Sequence, residues 1–295
     1  MGSCREPPYR MKLAVIGDPV AHSRSPAIHT AALRALGIEG SYVGVRVAPD
    51  DVEAMLARVR NGEFDGINVT MPHKRAAAEM VDDLSDDARR SASVNTVVRG
   101  AGGRLSGHST DVTALRRLWK QTGIPVDRPA LVLGAGGAAA AACLAAPSPT
   151  VYLSARRSEA ARALTAAIDR PAVVVPWQSA VSDSVVINAT ALGMKGEELA
   201  GRVMVLASGL VDMAYGSDVT PAVAAARQRG LPVADGLEIL VAQAGDSFRL
   251  WTGREPPWEA MAQAARNPSR PGAGQPNHAI RRRSEKENPC RSAES

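Results

Sequence analysis

The clearest indication of the fold comes from residues 130–146, which read ALVLGAGGAAAAACLAA. Its first four residues are apolar and predict a buried strand, GAGG at 134–137 predicts a tight turn, and the alanine run predicts a helix. The segment carries no charge, yet it is shorter than the roughly 20 residues that a membrane span requires and lies between Pro129 and Pro147. We therefore expect a strand, a glycine turn and a helix rather than a transmembrane segment.

This turn is a candidate dinucleotide site. One glycine permits the tight turn after the strand, a second lets the backbone approach a pyrophosphate, and the start of the helix offers amide donors to the anion. The candidate residues are Gly134, Gly136, Gly137 and Ala138. Purely structural strand-to-helix turns also use glycine, so the pattern gains its weight from the strand before it and the helix after it.

The next strand ends in Ser154-Ala155-Arg156-Arg157, at the place where NAD-binding chains usually carry an acidic residue for the ribose 2′-hydroxyl. Two guanidinium groups suit a 2′-phosphate instead. We predict that Arg156 and Arg157 select NADP over NAD. The alternative is that they only solvate the end of a strand.

Short apolar runs alternate with helical patterns along most of the chain, which predicts an α/β protein with parallel sheets, the second of them doubly wound. Residues 266–295 lack apolar periodicity and are predicted to be disordered. Expected strands lie at 12–17, 41–47, 66–70, 131–133, 151–154, 172–175, 185–188, 209–213 and 232–234, expected helices at 25–36, 50–60 and 111–121 and after Asp235 and Pro257, and an expected hairpin turn at 100–103.

The formal net charge of the 295-residue chain is +5, which raises the question of a nucleic-acid partner. Residues 266–295 carry seven basic and three acidic side chains and residues 1–10 carry two basic and one acidic, so residues 11–265 are neutral. No helix-turn-helix signature or aromatic platform accompanies the charge, and no nucleic-acid partner is expected. Three scattered cysteines argue against a disulfide framework and a metal cluster, and a cytoplasmic protein without membrane attachment is expected.

Polar segments follow predicted strands of the first half, at the end of the sheet where α/β proteins bind ligands. The first contains Ser23 and Ser25, two hydroxyl groups close together in the sequence. The second is Asn68-Val69-Thr70-Met71-Pro72-His73-Lys74, which presents a lysine where a strand turns into a helix. The third combines Asn95 with Asp111, an amide and a carboxylate. Together they predict a polar site for a small molecule.

These segments and those of the second half resemble the shikimate dehydrogenase family from about Lys12 to Met261. The number and the order of the matching motifs make the resemblance specific. The motifs are S-x-S at 23–25, N-V-T-x-P-x-K at 68–74, V-N-T at 94–96, T-D at 110–111, G-A-G-G-A-A at 134–139, I-N-A-T-x-x-G-M at 187–194, D-M-x-Y at 212–215 and D-G-x-x-x-L-V-x-Q at 235–243.

The resemblance implies a substrate-binding domain at 11–122, an NADP-binding domain of the Rossmann type at 123–235, and C-terminal helices at 236–265 that pack back on the first domain. It implies reduction of 3-dehydroshikimate to shikimate by NADPH, a step toward chorismate and the aromatic amino acids. The site residues it implies are Ser23 and Ser25 for the carboxylate, Tyr215 at the substrate, Thr70, Asn95, Asp111 and Gln243 for ring hydroxyls, and Asn188, Thr190, Met194 and Gly236 for the cofactor.

Lys74 and Asp111 are the candidate acid–base pair. Hydride transfer to a ketone leaves an alkoxide that must gain a proton, and a lysine held by a carboxylate both stabilises that charge and supplies the proton. Taken singly, Asp111 and Ser23 also suit helix caps and Lys74 suits a solvated helix start. This chemistry requires no histidine, so His22, His29 and His73 are expected to be structural or solvated.

The chain departs from the family pattern at three positions. Val112 stands where glycine is common, Arg157 where a hydroxyl residue is usual, and Ala191 where serine would offer the cofactor a contact. Two alternatives to a shikimate dehydrogenase are a relative that uses quinate and a non-catalytic paralogue that binds nucleotide or shikimate. The paired serines argue against the first, and the presence of Lys74 and Asp111 argues against the second. A monomer or a homodimer is expected.

Overall fold

The computed structural model describes residues 10–267, and the predicted disordered segment beyond residue 267 lies outside them. Its first sheet has six strands in the order β2-β1-β3-β5-β6-β4, with helices packed against it. The elements are β1 (Met11–Gly17), α1 (Ser25–Ala35), β2 (Gly40–Arg46), α2 (Val52–Arg60), β3 (Gly66–Val69), α3 (Lys74–Met80), β4 (Asp83–Leu84), α4 (Asp86–Ser91), β5 (Thr96–Arg99), β6 (Leu105–His108) and α5 (Thr110–Gln121).

The centre of this sheet is parallel, as the alternation of strands and helices predicts. Strand β1 pairs in parallel with both β2 and β3, and its residues from Leu13 to Gly17 are buried. Strands β5 and β6 form the predicted antiparallel hairpin, and β5 also runs antiparallel to β3. Since β3 and β6 are both antiparallel to β5, they run parallel to each other. The two strands therefore end at the same edge of the sheet.

The second sheet is entirely parallel, and its order is β12-β11-β10-β7-β8-β9. This is the strand order of doubly wound dinucleotide-binding sheets, in which the direction of winding reverses between β7 and β10. The elements are β7 (Ala130–Leu133), α6 (Gly137–Ala145), β8 (Val151–Ser154), α7 (Ser158–Ala167), β9 (Val173–Val175), β10 (Ser184–Asn188), α8 (Gly201–Val205), β11 (Ala207–Asp212), α9 (Pro221–Gln228) and β12 (Val233–Ala234).

The alanine-rich segment forms the predicted strand, turn and helix. Residues 139–145 of α6 are all buried because the helix packs against the second sheet on one side and against α4 and α5 of the first unit on the other. Small side chains permit this close packing. Within residues 10–267, no helix is both long and apolar enough to cross a membrane.

Two C-terminal helices, α10 (Gly236–Thr252) and α11 (Trp258–Arg266), return to the first unit, as expected. Helix α10 begins with a capping box in which the Asp235 carboxylate accepts from the backbone of Glu238 and the Glu238 side chain accepts from Asp235 N. Phe248 and Met261 are fully buried in a core shared with α1. Helix α10 also packs on α5, so its middle turns lie beside the polar edge of the first sheet.

Candidate active site

Lys74 and Asp111 meet at the edge where β3 and β6 end. Lys74 is the first residue of α3, and Asp111 lies in the first turn of α5. Lys74 Nζ donates a hydrogen bond of 2.5 Å to Asp111 Oδ2, and the two side chains are 15% and 7% exposed. A charge-assisted hydrogen bond is strong at such low exposure, and the start of a helix favours the carboxylate. The ammonium group is therefore held in one place.

Asn95 joins this pair to helix α10. It precedes β5, and because β5 is antiparallel to β3, its start lies at the same edge of the sheet. Asn95 Oδ1 accepts from Thr110 N at 2.7 Å, while Asn95 Nδ2 donates to Thr110 Oγ1 at 2.9 Å and to Gln243 Oε1 at 3.0 Å. The structure thus brings together three candidate groups that are far apart in the sequence.

A buried polar layer beneath these groups is absent from the sequence prediction. Asn68 Nδ2 donates to Ser247 Oγ at 3.0 Å and to Thr96 Oγ1 at 3.1 Å, and Asn68 Oδ1 accepts from Tyr42 Oη at 2.6 Å. Ser247 Oγ in turn donates to Gln243 O at 2.9 Å. Two features of the sequence could have indicated this layer. One is an asparagine in an otherwise apolar strand, and the other is a serine one helical turn after Gln243.

The two serines lie at the start of α1 and face a residue of the second unit. Ser23 Oγ accepts from Ser25 N at 3.3 Å, and Ser25 is buried. Burial raises the pKa of Tyr215, and hydrogen bonding to the backbone of Arg24 and to Ser23 opposes that shift. The guanidinium carbon of Arg24 lies 5.9 Å from the centre of the Tyr215 ring, so the ring lies beside the residue that separates the two serines. Thr70, half-buried at the end of β3, completes the polar residues of this edge.

The turn after β7 fits a pyrophosphate. Gly134 has a φ of +122°, and a Cβ on it would lie 2.8 Å from the carbonyl oxygen of Ala189, so the position requires glycine. Gly136 directly precedes α6, is exposed, and would have no atom within 4 Å of an added Cβ. The amides of the first helical turn, at Gly137 and Ala138, have no intrahelical acceptor. An open surface with amide donors and a helix N-terminus is suited to an anion.

Gly137 differs from the other glycines because it packs on the first unit. A Cβ there would lie 2.7 Å from Ser93 Oγ and 2.9 Å from Lys74 Cβ. Ser93 Oγ also donates to Gly137 O at 3.3 Å. The start of α6 is therefore in contact with the residue that carries the ammonium group, and the two candidate sites are adjacent.

Arg156 and Arg157 lie at the end of β8, the neighbour of β7. Both are exposed, and neither guanidinium is bonded to another residue in the described part of the chain. No Asp or Glu side chain of the described residues is paired with either arginine, so none competes with a phosphate for their donors. Their position and their free donors fit the 2′-phosphate of NADP.

The other predicted cofactor residues surround a buried hydrogen-bonded loop. Asn188 Nδ2 donates to Asp212 Oδ1 at 2.8 Å and to Leu192 O at 2.9 Å, and Asn188 Oδ1 accepts from Thr190 Oγ1 at 2.6 Å. Asn188 has no exposed surface, so it fixes the loop instead of presenting a group to a ligand. Burial raises the pKa of Asp212, and a bond from Thr220 opposes that shift.

Thr190 is half-buried and Met194 is exposed on this loop, so a ligand can reach both residues. Gly236 is buried at the start of α10, where a Cβ would lie 2.1 Å from the carbonyl oxygen of Ala214. Gly236 therefore allows α10 to pack on the loop that carries Tyr215. Gly236 thus contributes to the candidate site by permitting a close approach of backbone segments, and it has no side chain to contact a ligand.

The two buried histidines are structural, as expected. The ring of His73 lies with Nε2 2.8 Å from Val47 O, and His29 stacks on Tyr42 with ring centres 4.4 Å apart. Within residues 10–267, no group of His, Cys, Asp and Glu is arranged to hold a metal ion. The polar chemistry of the cleft rests on lysine, carboxylate, amide and hydroxyl groups.

Comparison with known proteins gives matches over most of the chain. A family model of the shikimate dehydrogenase substrate binding domain matches residues 15–97, and one of the shikimate 5′-dehydrogenase C-terminal domain matches residues 236–266. The shikimate dehydrogenase (NADP(+)) of Acidiphilium cryptum (strain JF-5) is 40% identical over 252 residues, which cover 82% of this chain and 90% of that protein.

Solved structures agree with these matches. Shikimate 5-dehydrogenase from Thermus thermophilus, in complex with NADP(H) and shikimate, superposes with a TM-score of 0.77 at 37% identity and covers 87% of this chain and 98% of its own. Shikimate 5-dehydrogenase from Listeria monocytogenes, in complex with shikimate and NAD, has a TM-score of 0.73 at 26% identity. The match covers 88% of this chain and 97% of the Listeria chain.

Proposed function

The chain belongs to the shikimate dehydrogenase family, and from that membership we propose that its two adjacent sites carry out one reaction, the reduction of 3-dehydroshikimate to shikimate with NADPH. This reaction is a step toward chorismate and the aromatic amino acids. The observation that carries the assignment is the Lys74–Asp111 pair, which lies directly against the glycine turn of the nucleotide site. An acid–base pair in contact with a nucleotide cradle is the arrangement that ketone reduction needs.

The substrate roles follow the geometry of the first edge. We assign Ser23, Ser25 and Tyr215 to the substrate carboxylate because the two serines lie at the start of α1 and the Tyr215 ring packs beside Arg24, the residue between them. We assign ring hydroxyls to the polar side chains near the acid–base pair. These side chains are Thr70, Asn95, Asp111 and Gln243.

The cofactor roles follow the second sheet. Gly134, Gly136, Gly137 and Ala138 form the pyrophosphate turn, and Arg156 and Arg157 bind the 2′-phosphate. Thr190 and Met194 line the cleft, while Asn188 and Gly236 fix the loops that do so. Residues 123–235 then form the NADP-binding domain, and residues 11–122 with helices 236–265 form the substrate domain.

NADPH, when bound, supplies the hydride that reduces the ketone. Lys74 Nζ stabilises the negative charge that develops on the substrate oxygen and delivers a proton to it. Asp111 keeps the ammonium group oriented, and Asn95 and Gln243 hold the ring so that its carbonyl faces Lys74. In the reverse direction the neutral amine of Lys74 accepts the proton of the shikimate hydroxyl and becomes the ammonium group.

The first test is turnover of shikimate by the full chain with NADP or NAD, followed by nicotinamide absorbance. Quinate serves as the competing substrate. We expect reduction of NADP with shikimate at a higher kcat/KM than for either alternative. Absence of turnover under conditions where a related enzyme is active would refute the assignment.

Lys74→Ala tests the mechanism. We expect kcat to fall by about a hundredfold or more, with a smaller change in the KM for shikimate, because Lys74 acts mainly on the transition state. Arg75→Ala, at the exposed neighbour on the same helix, is the matched control and is expected to leave kcat within about twofold. A Lys74→Ala variant with near wild-type kcat would remove Lys74 from the mechanism.

Arg156→Ala tests the cofactor assignment. We expect the KM for NADP to rise about tenfold or more while the KM for NAD stays constant, because NAD lacks the 2′-phosphate. Arg162→Ala, at an exposed arginine of α7, is the control for loss of charge. Equal losses with the two nucleotides would contradict the assignment of Arg156.

The proposal further places the enzyme in the cytoplasm, as a monomer or a homodimer without a nucleic-acid partner. Size-exclusion chromatography with light scattering measures the oligomeric state. Binding of a labelled duplex DNA in dilute salt tests the last point. Affinity that depends on residues 11–265 would contradict it, because this part of the chain is neutral.

A further inference from the structure

Arg24 lies between the two serines of the proposed carboxylate site and makes contacts that none of the roles above uses. Arg24 directly precedes α1, and its side chain is half-buried. Nη1 donates to Ala265 O at 2.7 Å, and Nη2 donates to Gly216 O. The guanidinium carbon lies 5.9 Å from the centre of the Tyr215 ring. One side chain therefore joins three segments that are far apart in the sequence.

Both acceptors belong to elements that border the site. Ala265 lies in the last turn of α11, where carbonyl groups have no intrahelical donor. Gly216 directly follows Tyr215, and a Cβ on Gly216 would lie 2.5 Å from the carbonyl oxygen of Met194. The Tyr215–Gly216 loop is thus packed between the cofactor loop on one side and Arg24 on the other.

A guanidinium group is suited to this junction. Its donors are fixed in a plane and can reach two carbonyl groups while the face of the group lies against an aromatic ring, whereas a lysine ammonium is a point donor. Arg24 makes no ion pair within residues 10–267, so its two carbonyl contacts and the Tyr215 ring fix its position.

We propose that Arg24 is a positioning residue that holds the Tyr215–Gly216 loop against Ser23 and Ser25, so that the carboxylate site is assembled from both units through this side chain. The inference rests on the proposed function, because that function assigns the two serines and Tyr215 to the substrate. Arg24 acts on binding of the carboxylate and has no contact with Lys74. Its loss is therefore expected to change KM for shikimate and to spare kcat.

Arg24→Met and Arg24→Lys test this role in the full chain. We expect Arg24→Met to raise the KM for shikimate about tenfold to a hundredfold, the range for a lost hydrogen bond from a charged group, with kcat and the KM for NADP within about threefold. Arg24→Lys is expected to recover only part of the loss. Arg34→Met removes an exposed arginine of the same helix and is the control, with kinetics like those of wild type.

A double-mutant cycle with Tyr215→Phe tests whether Arg24 acts through Tyr215. We expect the combined rise in KM to be at least threefold smaller than the product of the two single effects. Full recovery of KM in Arg24→Lys would overturn the proposal, because charge alone would then suffice. Independent effects of the two substitutions would overturn it as well.

Hydrogen exchange of the segment 213–218 supplies a measurement that does not depend on activity. We expect exchange there to accelerate in Arg24→Met and to stay at the wild-type rate in Arg34→Met, at a temperature well below the unfolding midpoint of both variants. Unchanged exchange in Arg24→Met would overturn the proposal. A wild-type protein that fails to turn over shikimate would refute the proposed function instead, and the exchange result would still test Arg24.

Discussion

Gly137→Ala is the substitution that most directly tests whether the two proposed sites operate as one. The added Cβ would lie 2.7 Å from Ser93 Oγ and 2.9 Å from Lys74 Cβ, whereas ordinary contacts of this kind begin at 3.4 Å. Lys74 Cβ would therefore have to move by about 0.5 Å and Ser93 Oγ by about 0.7 Å. The contact involves the base of the Lys74 side chain, and Lys74 O accepts from Val94 N at 3.0 Å, so a backbone shift is resisted.

The expected effect is mainly on catalysis. A misplacement of about 1 Å in an active site can cost a hundredfold in rate, so a shift of about half that size is expected to lower kcat about tenfold. Crowding is also expected to destabilise the protein by about 1–3 kcal/mol. The assay is steady-state oxidation of shikimate with NADP, together with urea unfolding of the same preparation.

Gly201→Ala is the matched control. Gly201 is also the first residue of a helix, α8, and an added Cβ would have no atom within 4 Å. We expect this variant to retain wild-type kcat and stability. A Gly137→Ala enzyme with kcat within about twofold of wild type would refute the coupling of the two sites, since Lys74 would then tolerate the added atom. An equal loss in Gly201→Ala would refute it too.

Two further predictions concern buried polar groups. Ser247→Ala removes an acceptor of Asn68 Nδ2 and is expected to lower the free energy of unfolding by about 1–3 kcal/mol and to raise the KM for shikimate, with exposed Ser217→Ala as the control; unchanged stability would contradict it. Burial lowers the pKa of His29 to about 3 from its ordinary value of 6.5, so between these values the unfolded chain binds a proton that the folded chain does not. Stability is therefore expected to fall as the pH drops through this window, by up to about tenfold in the folding constant per pH unit. His29→Phe is expected to flatten that dependence in urea unfolding at pH 5 and pH 8, and an unchanged dependence would refute the role of His29.

The regular elements were predictable where an apolar pattern is long enough to indicate them. Strand β8 has the predicted bounds, and β7 begins one residue earlier than predicted. Strand β4 has only two residues, Asp83 and Leu84, and is defined by pairing with β6, so no periodicity indicates it. Helix α4 has one buried apolar residue, Ala88, and depends on the Ser85 cap, whose hydroxyl accepts from Ala88 N. Such short elements exist because of tertiary contacts.

The site was predictable from motif order more than from local physics. Nothing in the neighbourhood of Lys74 or Asp111 alone indicates that they pair, since they lie 37 positions apart in the sequence and the pairing depends on β3 and β6 ending at one edge. The direction of a side chain is harder to predict. Asn188 belongs to a motif assigned to the cofactor, but its amide is directed into the protein, toward Asp212.

Under the proposed function, local charge and not net charge determines where anions bind. Residues 11–265 are neutral, so long-range attraction of a carboxylate or a phosphate is weak. Lys74 is paired with Asp111 and contributes little net charge to the cleft. Arg156 and Arg157 have no acidic partner within the described residues, and they lie at the proposed 2′-phosphate position. The Arg24 guanidinium donates to two carbonyl groups, so its role in the proposed carboxylate site is to position the Tyr215–Gly216 loop. The cation proposed for the reacting centre is thus neutralised, whereas the two cations proposed for the 2′-phosphate are not. Under the proposed function, binding energy comes mainly from the residues that hold the ends of the ligands, and the Lys74–Asp111 pair responds to the charge that develops during the reaction.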